Sequence, residues 1–74
     1  MTMTEKPEKV LVDRGYTAEI YQQRESSLFR VHYFDPGGRL LGTEEKRANT
    51  AEALEYGSVK FKLHKLADTG TTGT

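Results

Sequence analysis

Two histidines, His32 and His64, are the side chains in this chain best suited to acid–base or metal chemistry. No cysteine accompanies them, which excludes disulfides and every thiolate metal site. A zinc site built on the pair would need carboxylates at ligand spacing, and no such pattern surrounds either residue. Both therefore read as surface histidines. No serine stands in a nucleophile-elbow context. Gly37-Gly38 follows Pro36 and opens no helix, so it reads as a turn and not as a phosphate loop. Glu44-Glu45 could be called paired carboxylates. Neighbours on a strand point to opposite faces, however, so the two cannot converge on one substrate. They read as solvated edge charges, which also discourage edge-to-edge aggregation. The residues thus imply no catalytic set, no cofactor and no metal, and the chain is not expected to be an enzyme.

One group has binding potential. Arg30, His32 and Phe34 alternate along a single apolar-periodic segment and project from one face of a strand. Arg39 and Leu41 join them from the next strand if the turn register allows. Cationic and aromatic groups on an open sheet face can bind a protein or a second copy of the chain, or can stack bases and contact phosphates. The plain alternative is a wet outer face. Lys60, Lys62, His64 and Lys65 form a second basic cluster, suited to phosphate or an acidic partner, or simply to the negative end of a helix. Tyr21 and Tyr33 read as packing residues.

Composition narrows the function classes. The 74 residues include 11 basic and 11 acidic side chains, for a formal net charge of zero. That balance excludes a polycationic nucleic-acid coat. No apolar run approaches the roughly 18–20 residues of a membrane span. Met1 to Pro7 lacks an apolar signal core, so a cytoplasmic location is expected. A chain of this length buries only about 60% of its unfolded surface, and small cores without staples often gain stability by self-association.

The elements that would position these residues follow from periodicity. Residues 1–8 and 68–74 hold no periodic apolar residue and are expected to be disordered tails around a domain spanning 9–67. Val10-Leu11-Val12 is either a first short strand or a segment packed across another element. Tyr16, Ala18 and Ile20 share one strand face, with Thr17, Glu19 and Tyr21 on the other. Residues 22–27 read as a polar turn. In the next strand Phe29, Val31 and Tyr33 oppose Arg30, His32 and Phe34. Asp35-Pro36-Gly37-Gly38 suggests a type II turn, with a returning strand over 39–46. Asn49 with Glu52 has capping-box spacing at a helix start. Tyr56, Val59, Leu63 and Leu66 form a helical stripe, yet residues 59–63 also alternate like a strand, with Gly57 as a helix C-cap before it. The continuous helix fits the charge order better. The expected fold is α+β: a three-stranded antiparallel sheet packed on one helix, β-β-β-α, with a further N-terminal or C-terminal strand as the open variants.

Several stretches resemble the single module of the uncharacterised bacterial YegP-like family: Ile20-Tyr21, Phe29-Arg30-Val31, Gly38-Arg39-Leu40-Leu41, Thr43-Glu44-Glu45, Asn49 to Leu54 and Gly57-Ser58-Val59-Lys60. The resemblance spans about half the chain. It implies a three-stranded antiparallel sheet against one helix, and single-module members that tend to pair. It implies no established activity. Pro36-Gly37-Gly38 departs from the Asn-Gly turn more usual there, and the segment before Gly15 is additional. Leu41-Gly42-Thr43 with Thr50-Ala51-Glu52 is also similar to the strand-to-helix passage of plant AP2-type and phage-integrase arm-binding domains, which bind DNA. The spacing between those two stretches is longer here, and the chain has no tryptophan. The expected function is a small non-enzymatic interaction module that self-associates as a homodimer. Nucleic-acid binding through Arg30, His32, Phe34 and Arg39 is the alternative.

Overall fold

The computed structural model describes residues 6–23 and 26–71. The elements in chain order are β1 (Lys9–Asp13), β2 (Tyr16–Gln22), β3 (Leu28–Phe34), β4 (Leu40–Arg47), α1 (Ala51–Glu55) and α2 (Ser58–Thr71). All neighbouring strands are antiparallel, in the sheet order β1-β2-β3-β4. The expected α+β layering is present, but the sheet has four strands, because Val10-Leu11-Val12 pairs fully with β2. Pairing begins even before β1, where the Glu8 N–H donates to the Ile20 carbonyl at 2.6 Å. Residues 1–5 of the expected N-terminal tail lie outside the described residues. At the other end α2 continues through residues 68–71 of the expected C-terminal tail, and residues 72–74 lie outside the described residues.

Alternation decides which side of the sheet is covered. Ala18, Ile20, Phe29, Val31 and Tyr33 are buried on one face, together with Leu11. Leu54, Val59, Leu63 and Ala67 of the helices complete that core. Each large side chain buried there contributes about 1.5–3 kcal/mol. Among the described residues no polar or charged side chain is buried.

The turns differ from expectation for local reasons. At 35–38 the Gly38 N–H donates to the Asp35 carbonyl at 2.9 Å, and Gly38, not Gly37, takes the positive φ of 91°. That is a type I turn followed by a left-handed glycine, the three-residue hairpin pattern, in place of the expected type II turn. The Asp35 carboxylate fixes it by accepting the Arg39 N–H at 2.8 Å. Between β1 and β2, Arg14 (φ 52°) and Gly15 (φ 91°) form a two-residue turn of the type I′ class.

The helical part is bent. Thr50, and not Asn49, is the N-cap of α1: its Oγ1 accepts the Ala53 N–H at 3.2 Å. The chain then turns at Tyr56-Gly57 and resumes as α2, so residues 58–66 are helix and not the competing strand. Gly57 has no positive φ, and it is not the left-handed C-cap of the competing reading. A Cβ there would lie 3.1 Å from the Ala53 carbonyl oxygen, so any other residue would have to push that carbonyl back by a few tenths of an ångström. The bend also corrects the apolar stripe. Tyr56 sits at the corner and is 78% exposed, whereas Val59, Leu63 and Ala67 repeat every four residues on the buried side.

Candidate interaction surface

The face of the sheet away from the helices carries Val10 and Val12 of β1, Thr17, Glu19 and Tyr21 of β2, and Arg30, His32 and Phe34 of β3. Cross-strand register arranges them in rows. Val12, Thr17, Phe34 and Leu40 lie across one row. Val10, Glu19, His32 and Thr43 lie across the next, followed by Tyr21, Arg30 and Glu45. Val10, Val12 and Leu40 are 48%, 66% and 50% exposed. Rings bridge the rows: the Tyr21 and His32 centroids are 5.2 Å apart, and His32 stacks on Phe34 at 6.4 Å.

The structure brings three of the five expected site residues together. Arg30, His32 and Phe34 share the outer face, as their alternation demands. Arg39 belongs to the hairpin turn and precedes β4. Leu41 is displaced by a bulge: Phe34 pairs with Leu40 and Tyr33 with Gly42, leaving Leu41 between them. It lines a groove of about 310 Å³ with Tyr33, Glu44, Lys62 and Leu66, on the helix side. Leu40 takes the outer-face place beside Phe34.

The outer face is also less cationic than Arg30 and His32 suggest. Glu45 approaches Arg30 at 3.5 Å, and Glu19 lies opposite His32 while accepting the Tyr21 hydroxyl at 2.8 Å. The Lys60–Lys65 cluster is dispersed in the same way. Lys60 lies over the Tyr56 ring and Lys65 over the Phe61 ring. Lys62 pairs with Glu44 at 2.7 Å, and His64 Nδ1 lies 2.9 Å from Asp13. Because α2 runs on to Thr71, these residues lie within its first eight positions and do not complement its C-terminal end.

Two side chains carry more than their sequence context signalled. Glu44 and Glu45 do point to opposite faces, but Glu44 is half-buried and joins Lys62, Lys46 (3.2 Å) and the Tyr33 hydroxyl (3.4 Å). Asp13 holds Arg14 at 2.9 Å as well as His64, tying the first turn to α2. Lys62 above all, then Lys46, keeps the Glu44 carboxyl below the usual carboxylate range despite partial desolvation. Arg14, then His64, does the same for Asp13. Burial, reinforced by Glu44, pushes the Tyr33 hydroxyl above its ordinary value. His32 and His64 stand on opposite sides of the sheet. Among the described residues no group of three or more His, Asp or Glu is arranged to hold a metal ion, and no helix is long and apolar enough to cross a membrane.

No family model, no curated protein and no solved structure matches this chain.

The lowered carboxyls set an acid limit to stability. A carboxyl depressed in the folded state stabilises above its unfolded value, and that contribution is lost as pH falls through the folded value. Urea midpoints should therefore hold steady near neutrality and drop below about pH 4. Asp13→Asn and Glu44→Gln should each flatten that limb. An unchanged acid limb in both variants would show that other groups set it.

Proposed function

We propose that this protein is a small non-enzymatic interaction module whose partner is a second copy of itself, joined through apolar sheet surface that the helices leave uncovered, on the outer face or at the adjoining β1 edge. The observation that carries this reading is the exposure of Val10, Val12 and Leu40 on one side of the sheet, with the half-buried Phe34 next to Leu40. Apolar side chains that lose little singly gain by being covered together. Charge favours a copy of the same chain. Glu19, Arg30, Glu45 and Arg47 balance on this side of the sheet, and the whole chain is neutral, so two copies meet without long-range repulsion. The likeness to YegP-like modules, whose single-module members tend to pair, points the same way. Nucleic acid is the weaker candidate, because Glu19 and Glu45 stand where phosphates would approach.

Sedimentation equilibrium from about 1 μM to 1 mM, the range expected for a modest interface, tests the proposal. The expected result is a reversible monomer–dimer equilibrium weakened in Val12→Ser. An 8.4 kDa monomer throughout would overturn it. So would tight, steeply salt-dependent binding of short DNA or RNA by a chain that remains monomeric.

A further inference from the structure

The two edges of the sheet are not equally protected. The β4 edge carries a bulge at Leu41 and the four consecutive charges Glu44, Glu45, Lys46 and Arg47, devices that discourage strand addition. The β1 edge has no bulge, and its charges, Lys9 and Asp13, stand only at its two ends. Lys9-Val10-Leu11-Val12-Asp13 contains no Pro or Gly, and its register with β2 is unbroken from Lys9 to Asp13. A groove of about 280 Å³ runs beside it, lined by Val10, Leu11, Val12, Glu55, Lys60 and Leu63 among others.

We infer that two copies join by antiparallel pairing of β1 with β1 about a two-fold axis at Leu11, making one continuous eight-stranded sheet. This rests on the self-association proposed above and specifies where it occurs. The backbone supplies the bonds. A two-residue hairpin loop makes Asp13 and Tyr16 its closing hydrogen-bonded pair, so by alternation Val10 and Val12 turn their N–H and C=O groups to the open edge. In the Leu11-centred register each Val10 meets the partner's Val12, and these groups satisfy one another. Side chains select the same register. Opposite residues share a face, so Lys9 meets the partner's Asp13 on the groove side, and the valines meet on the outer side. Centring on Val10 would set Lys9 against Leu11, and centring on Val12 would set Asp13 against Leu11. Only the Leu11 register matches charge to charge and valine to valine. It also makes the exposed valines of both copies one apolar strip on the outer side of the joined sheet.

The test uses the full chain in sedimentation equilibrium, with far-UV circular dichroism as the folding check. Val12→Pro removes one outward N–H and leaves the β1–β2 bonds in place, so it should abolish the dimer in a folded chain. Lys9→Glu and Asp13→Lys each create two like-charge pairs across the axis. They also end contacts within one chain, Lys9 with Glu55 at 3.2 Å and Asp13 with Arg14 and His64, so each homodimer should weaken roughly tenfold or more. Mixed one to one, these two variants regain opposite charges at both sites, and a heterodimer should form more tightly than either homodimer. That restoration decides the matter even if Val12→Pro unfolds. A wild-type dimer with no restoration in the mixture overturns β1 pairing and leaves self-association through the outer face standing. A wild-type monomer overturns both.

Discussion

Phe29→Ala should unfold most of the protein at 37 °C. Phe29 is 1% exposed and lies in the centre of the core with Ile20, Val31, Tyr33 and Leu63. Truncating a buried phenylalanine costs about 3–5 kcal/mol, from lost transfer energy and the cavity left behind. A domain of this size has only about 3–10 kcal/mol to lose, at the usual per-residue stability. The expected readout is a fall in thermal midpoint of more than about 12 °C, or no cooperative transition at all. Phe34→Ala, made on the same strand but on the open face, should move the midpoint of the dilute monomer far less. Similar shifts for the two would mean that the helices do not cover the Phe29 face alone, and the layering would be wrong.

Gly15→Ala should destabilise more than Gly38→Ala, although both glycines have φ of 91°. Any L-residue held in the left-handed region costs about 1–2 kcal/mol, and both substitutions carry that term. At Gly38 a Cβ would meet nothing within 4 Å. At Gly15 it would lie 3.2 Å from both Cβ and Cγ of Pro36, because β2–β3 pairing brings the first turn against the second. Pressing a methyl group against a rigid ring adds roughly 1–3 kcal/mol. Urea unfolding of both variants, and of Gly15→Ala combined with Pro36→Gly, checks this. The excess cost at Gly15 should largely vanish without the proline ring. Equal losses at Gly15 and Gly38 would show that the two turns do not touch.

The sequence alone determined the faces of the central strands. Period-two alternation from Tyr16 to Ile20 and from Phe29 to Phe34 admits one burial pattern, because a one-residue slip would expose Phe29, Val31 and Tyr33 together. It determined equally that Arg30, His32 and Phe34 share a face, and that a hairpin closes near Pro36. The rest depended on partners distant in the chain. Val10-Leu11-Val12 is too short to declare itself a strand until β2 offers it a register. Residues 59–63 suit strand and helix alike. What decided for helix was the core, which takes Val59, Leu63 and Ala67 at four-residue spacing once the chain has bent at Gly57. The turn at Asp35 was decided by one carboxylate reaching the Arg39 N–H, a contact that the Pro-Gly pattern does not encode. The bulge then moved Leu41 to the helix side and left Leu40 on the open face. Glu44 and Glu45 are alike as residues, but only the folded chain sets one beside Lys62 and Tyr33 and the other beside Arg30. Periodicity is a local property and records which side of an element is apolar; register, bulges and ion pairs belong to the second element that meets it.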